Sequence, residues 1–222
     1  QTANAFNQMR TRIKRFLKQR TEMLAGVSHD LRTPLTRMKL QISLMKDEKA
    51  KSELEVDVNE MTSMLDSYVS FVKTESPEPI ETIIINELLG DIVKTVEKNG
   101  VELTIKEKNT IQTSGRQIQL KRAFNNIIDN SQRYAKKIEI ILYTNEKDCV
   151  IEFNDDGEGI PRDKYEDVFK PFFTLDPSRN KLKGESGLGL TITRDIIRSH
   201  GGDVKLSDSN LGGLQLKVLL PL

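Results

Sequence analysis

The sequence predicts two fold classes in one chain, an all-α hairpin followed by an α+β sandwich. Three observations lead there. Apolar residues recur at alternating spacings of three and four from Phe6 to Val72, the mark of helices that pair along a seam. Glu75-Ser-Pro-Glu-Pro79 then interrupts the pattern with two prolines among polar residues, which ends a helix and marks a boundary. Beyond residue 80, strand-like alternation mixes with helical patterns and glycine turns, as in domains that segregate helices from a sheet.

The first helix carries Phe6, Met9, Ile13, Phe16, Met23 and Val27 in heptad steps, with Arg20 at one seam position. Basic residues crowd its outer face, and no capping residue opens it. The seam continues through Leu24, Val27, Leu31, Leu35, Met38, Ile42 and Met45, so the helix is expected to end near Met45. Residues 46–51 form a charged turn, and Ser52 with Glu55 fits a capping box for a second helix. That helix places Leu54, Val58, Met61, Leu65, Tyr68 and Val72 on its seam. A lone antiparallel hairpin buries little apolar surface, so two hairpins packed as a four-helix bundle in a homodimer are expected.

Composition excludes several classes. The 222 residues carry a net charge of +1, without the basic excess of a nucleic-acid surface. A single cysteine, Cys149, rules out an internal disulfide, and two distant histidines give no zinc pattern. No apolar run approaches ~18 residues, the length of a membrane-spanning helix. No secretory signal opens the chain, and a soluble cytosolic piece is expected.

Within the first helix, Ser28-His29-Asp30-Leu31-Arg32-Thr33-Pro34-Leu35 stands apart. His29 lies two residues from both Val27 and Leu31, off the seam. Pro34 removes a backbone bond to the Asp30 carbonyl, at a cost of roughly 3 kcal/mol, and predicts a kink. Thr33 shares a helix face with His29. Asp30 is adjacent in sequence; if its carboxylate curls back to the imidazole, it holds one ring nitrogen protonated and leaves the other free to attack. A solvated surface histidine is the plain alternative.

The second domain reads in order as an extended stretch at 83–85, a helix capped by Asn86, a strand at 101–106, a helix at 117–135, and strands at 137–144 and 149–154. A short helix opened by Pro161 runs to Phe169, with Asp163 in its first turn. A polar stretch from 174 to 186, a helix at 188–199 ended by Gly201 and Gly202, and strands at 203–207 and 214–219 complete it.

Three stretches in this domain carry chemistry. Asn126 and Asn130 lie one turn apart, and their amide oxygens suit a hard cation such as Mg²⁺; surface polarity is the plain alternative. Asp155-Asp156-Gly157-Glu158-Gly159-Ile160-Pro161 follows a strand. Its glycines admit a flat ring, and a carboxylate there accepts a bond from an exocyclic amine; an ordinary glycine turn is the plain alternative. Gly184-Glu-Ser-Gly187-Leu188-Gly189-Leu190 opens a helix, where glycine-rich backbone cradles phosphate. It follows a helix and a long loop, so the dinucleotide fingerprint, which needs a preceding strand, does not fit it.

The run from Met23 to Arg37 resembles the phosphoacceptor helix of sensor histidine kinases, particularly the EnvZ osmosensor type. The three later stretches, with Phe169-Lys-Pro-Phe-Phe173 between the last two, resemble the ATP-binding domain shared by histidine kinases, DNA gyrase, heat-shock chaperones and mismatch-repair ATPases. Residues 4–9 resemble the end of a HAMP signalling module. The resemblance implies a HAMP-like segment at 1–20, a dimerisation and phosphotransfer domain at 21–75, a linker at 76–80 and a catalytic ATP-binding domain at 81–222. It implies ATP-dependent autophosphorylation of His29 and transfer to an aspartate of a response-regulator receiver domain. It also implies phosphatase activity toward that regulator, with Thr33 positioning water. Asn130 would be the Mg²⁺ ligand, with Asn126 beside it. Asp155 would recognise adenine. Gly157 and Gly159 would shape the base pocket. Arg133 and Tyr134 would flank the nucleotide, and Gly187, Leu188 and Gly189 would line the phosphates under a mobile lid at 174–186. The protein would be the cytoplasmic portion of an inner-membrane protein, touching the membrane only through upstream segments.

Three positions depart from the pattern. Ser131 stands where alanine is usual. Arg116 occupies a place often held by aspartate. Thr174 stands where many relatives place an arginine, and Arg179, Lys181 and Lys183 are the basic residues available to replace it. Two rival readings are a nucleotide-binding dimeric scaffold without catalysis, which Thr174 favours, and a mechanical ATPase, which has no use for His29.

Overall fold

The computed structural model describes residues 2–72, 78–96, 101–107, 109–175 and 187–222. The chain divides into two compact units.

The first unit is a helical hairpin. Helix α1 runs Thr2–Ser43 and α2 runs Glu48–Val72. Leu35, Ile42 and Val58 form its buried core, with Met45 and Leu65 packed against them. The heptad seam of α1 therefore splits between two faces. Leu35 and Ile42 meet α2, whereas Val27, Leu31 and Met38 stay exposed, as do Phe6, Met9, Phe16 and Met23. The side chains of Ile13, Leu24, Tyr68 and Val72 lie outside the described residues. Pro34 sits inside α1, and the helix continues through it.

Two boundary expectations are corrected here. Helix α1 stops at Ser43 rather than Met45, and one looser turn follows it, with Leu44 N–H donating to Gln41 O and Met45 N–H to Ile42 O. Helix α2 starts before the expected Ser52–Glu55 box. Asp47 Oδ1 accepts from the N–H groups of Lys49 (3.1 Å) and Ala50 (3.2 Å), which places the cap at Asp47.

The second unit comprises β1 (Glu81–Ile84), α3 (Ile85–Val96), β2 (Glu102–Glu107), β3 (Gln112–Gly115), α4 (Gln117–Tyr134), β4 (Lys137–Thr144) and β5 (Asp148–Asp155). Two single 3₁₀ turns follow at Arg162–Lys164 and Asp167–Phe169, then α5 (Gly189–Ser199), β6 (Asp203–Asp208) and β7 (Leu214–Pro221). The short helix expected from Pro161 to Phe169 is thus two separate turns. Strand β3 went unread in the sequence.

A five-stranded sheet has the order β2-β4-β5-β7-β6, and β1 pairs antiparallel with β3 in a second, small sheet. Strands β2 and β4 are parallel, so the chain crosses over between them, through α4. The remaining pairs of the large sheet are antiparallel. Ile138, Ile140 and Leu142 alternate into the core on β4, as Leu214, Leu216, Val218 and Leu220 do on β7. Helix α4 buries Leu120, Ala123, Phe124, Ile127, Ile128 and Ser131 along one stripe. The rings of Phe124 and Phe153, on α4 and β5, lie 6.0 Å apart. That contact holds the asparagine helix against the central strand.

The expected Asn86 cap is also corrected. Asn86 lies inside α3, where its Oδ1 accepts from Ile111 N–H at 2.8 Å and its Nδ2 donates to Glu107 Oε2 at 2.7 Å. It fastens α3 to the β2–β3 connection instead.

Candidate functional sites in the two units

In the hairpin, the motif lies wholly within α1. Ser28 and Leu35 are buried, while Asp30, Arg32 and Thr33 face solvent. The His29 side chain lies outside the described residues; its backbone is helical. Thr33 follows it by one turn, on the same helix face.

In the second unit the geometry centres on Asp155, the last residue of β5, only 5% exposed. Its Oδ1 accepts from Gly157 N–H (3.0 Å) and Leu214 N–H (2.9 Å), and its Oδ2 accepts from the Ser131 hydroxyl (3.2 Å). Its main-chain oxygen accepts from Gly213 N–H at 3.1 Å. A Cβ on Gly213 would collide with Asp155 Oδ1 and Gly157 N. Only glycine permits this approach. Gly159 holds a φ of +70°, a conformation natural to glycine. Asp156 turns the other way, its Oδ1 accepting from Lys136 N–H (2.8 Å) and Lys137 N–H (2.9 Å), bonds that draw its carboxyl below the ordinary range. The loop after β5 is thus tied to α4, to the start of β4 and to the start of β7.

Helix α4 brings Asn126 and Asn130 to this region, both half-buried. Asn126 Nδ2 donates to Gly189 O at 3.4 Å, so α4 touches the first residue of α5. Arg133 lines an open cleft with Val101, Asp129 and Gln132. Burial raises the Asp129 carboxyl, against the opposing charge of Arg133. Tyr134 is partly exposed, and its main-chain oxygen lies 3.1 Å from where a Cβ on Gly157 would sit.

The third stretch opens α5. Leu188, fully buried, precedes the helix and supplies no side-chain cap. The first backbone N–H groups of α5 therefore present a partial positive charge suited to an anion. Among the described residues, nothing lies within 4 Å of where a Cβ on Gly189 would be. Gly187 has a φ of +63°, and its carbonyl accepts from Phe172 N–H at 3.0 Å. A Cβ there would come within 2.8 Å of the Phe172 carbonyl carbon. Of the expected lid, only Thr174 and Leu175 are described; 176–186, with Arg179, Lys181 and Lys183, lie outside the described residues.

The sequence reading missed several supports. Arg194 donates to both Glu166 carboxylate oxygens (2.8 and 3.1 Å) and lies 4.4 Å over the Phe169 ring. Thr191 donates to Phe169 O at 3.0 Å. Together they anchor the phenylalanine motif to α5. Gly213 was missed as well, although the adjacent glycines 212 and 213 between two strands were a visible signal.

The donor sets fit what they would hold. Asn126 and Asn130 offer amide oxygens of the kind Mg²⁺ takes while keeping waters. Asp155 offers an anchored acceptor, and α5 an N-terminus whose N-cap residue, Leu188, supplies no side-chain cap.

A helical hairpin that matches a phosphoacceptor domain family, followed by an α/β sandwich that matches an ATPase domain family, defines the class as histidine kinase. The chain belongs to the sensor histidine kinases. Residues 19–76 match the His Kinase A (phospho-acceptor) domain, and residues 115–222 match the histidine kinase-, DNA gyrase B- and HSP90-like ATPase family. Over its full length it is 33% identical to sensor histidine kinase GtrS of Pseudomonas aeruginosa, of which it covers 46%. It is 32% identical to sensor histidine kinase CpxA of Escherichia coli K12, over 98% of this chain and 50% of that protein. The chain spans about half the length of these curated relatives. Full-length ShkA, solved with AMPPNP, shares the fold at a TM-score of 0.67 and 17% identity, covering 90% of this chain and 46% of ShkA. The mycobacterial kinase MprB aligns at a TM-score of 0.57 and 24% identity, over 64% of this chain and 97% of its own. No helix among the described residues is long and apolar enough to cross a membrane.

Proposed function

We propose that this chain is the cytoplasmic catalytic portion of an EnvZ-like sensor kinase. It uses ATP to phosphorylate His29 and passes the phosphoryl group to an aspartate on a response-regulator receiver domain. The domain limits are those of the sequence reading: 1–20, 21–75, 76–80 and 81–222. The observation that supports the proposal is the anchored Asp155 acceptor, in one chain with the glycine-flanked start of α5 and the His29 helix.

Asp155 takes the exocyclic amine of adenine, while Gly157 and Gly159 admit the ring. The first N–H groups of α5, around Gly187, Leu188 and Gly189, take the phosphate charge, flanked by Arg133 and Tyr134. Asn130 would hold Mg²⁺, with Asn126 beside it; when bound, the ion would supply positive charge to the phosphates. The free imidazole nitrogen of His29 attacks the γ-phosphorus. The nitrogen–phosphorus bond forms as the bridging phosphorus–oxygen bond breaks, and ADP leaves with that electron pair. Asp30 orients the imidazole and stabilises its developing charge. Catalysis rests on alignment and charge stabilisation.

The active form is a homodimer. Its support is the exposed row Val27, Leu31 and Met38, beside the row that packs on α2. Thr33 positions water for the reverse reaction on the phosphorylated regulator.

Incubation with γ-labelled ATP and Mg²⁺ tests the proposal, beside a His29→Ala variant. The expected label is acid-labile, alkali-stable and absent from the variant. Label that survives in the variant overturns the assignment of His29.

A further inference from the structure

Ser131 is a buried polar residue, 5% exposed, on the stripe of α4 that packs against the sheet. The plain reading is a small residue filling a tight space. Its hydroxyl makes a specific bond, however, to Asp155 Oδ2 at 3.2 Å.

A carboxylate has about four acceptor directions, two on each oxygen. On Asp155, both Oδ1 directions are taken by Gly157 N–H and Leu214 N–H. Ser131 takes one direction on Oδ2. Among the described residues no other group donates to this carboxylate, which leaves one acceptor. The three donors come from three separate parts of the fold: α4, the loop after β5, and the start of β7. The carboxylate cannot turn about its Cβ–Cγ bond without breaking all three. Alanine at position 131 would leave Oδ2 without its donor from α4.

We infer that Ser131 is a positioning residue for base selection. Its hydroxyl fixes the single remaining acceptor of Asp155 toward the base, so that the site takes a 6-amino purine and rejects a 6-oxo purine. A fixed anionic acceptor rewards an amine donor and leaves a carbonyl facing it unpaired, which is how a polar site discriminates strongly. The inference rests on the reading of Asp155 as the adenine acceptor and assigns Ser131 a role within it.

The test is calorimetric binding of ATP and of inosine triphosphate, which carries oxygen in place of the 6-amine. The proteins are the wild type, Ser131→Ala, Asp155→Asn and the double variant, each checked for its thermal unfolding midpoint. Ser131→Ala is expected to weaken ATP about fivefold and to leave inosine triphosphate nearly unchanged. In the Asp155→Asn background the same change should no longer alter the ratio of the two affinities. Ser131→Cys, close in volume and a weaker donor, should fall between serine and alanine. Equal losses for both nucleotides would mean that Ser131 only packs, and would overturn the inference. An undiminished effect in the Asp155→Asn background would overturn it too, because Ser131 would then act without Asp155. If the wild type binds neither nucleotide, the parent reading fails first and takes this one with it.

Discussion

Glu78 caps helix α4 through the backbone N–H of Ile118, at 2.6 Å and across 40 residues of chain. Its other oxygen accepts from Gln119 N–H at 3.3 Å. Arg116, the residue in the N-cap position, supplies no side-chain cap of its own. A carboxylate against the positive end of a helix satisfies N–H groups and the dipole together. Glu78→Ala should lower the unfolding free energy of the second unit by about 1 kcal/mol, and Glu78→Gln should recover part of it. Urea denaturation followed by circular dichroism measures both.

His200 sits beside that cap as a neutral imidazole. Arg116 N–H donates to its Nε2 at 3.0 Å, so the proton lies on Nδ1, which donates to Ile196 O at 2.7 Å. Burial is the main reason its pKa lies below 6.5; the Ile196 bond opposes this, Arg116 adds to it and Glu78 opposes it. The unfolded chain therefore takes up this proton first. Stability should hold above about pH 6.5, fall as pH drops from there toward the lower folded pKa, and level off below it. In His200→Gln this component should vanish, as urea midpoints between pH 8 and pH 5 would reveal.

Gly213 is a steric requirement of the turn that holds Asp155. Any side chain there meets the carboxylate of Asp155. Gly213→Ala should weaken ATP about tenfold or more by disturbing the bonds to Asp155, while circular dichroism still reports a folded sheet. Unchanged nucleotide affinity would contradict this account.

Thr33 is exposed, one turn after His29. Thr33→Ala should lose phosphatase activity toward the phosphorylated regulator and keep autophosphorylation. Loss of both activities would count against a role in positioning water.

Met38 lies on the apolar face of α1 that α2 leaves open. Met38→Asp should weaken homodimerisation about tenfold or more, since a charge would enter an apolar seam. Sedimentation equilibrium reads the change.

Both helices of the hairpin were legible because a heptad pattern is a local signal. The pattern could not say which partner each seam residue meets. Leu35 and Ile42 pack within the chain while Val27, Leu31 and Met38 do not, yet all five look alike in sequence. Strand β3 was illegible because Gln112-Thr-Ser-Gly115 is polar and owes its conformation to pairing with β1. Asn86 has the chemistry of a cap, but its partners lie 21 and 25 residues away. The candidate site residues stand out in the sequence as motifs. What fixes Asp155 was not, because its donors at Ser131 and Leu214 lie 24 and 59 residues away.

The two helices that frame the site begin differently. The first turn of α4 is closed by the chain itself, through Glu78, whereas α5 receives no side-chain cap from Leu188. If the phosphates bind at the start of α5, as proposed, they supply the charge that Leu188's side chain does not. On that proposal the folded state is partly built from solute, and its melting temperature would be a gauge of nucleotide concentration, rising with the logarithm of free ligand above its dissociation constant.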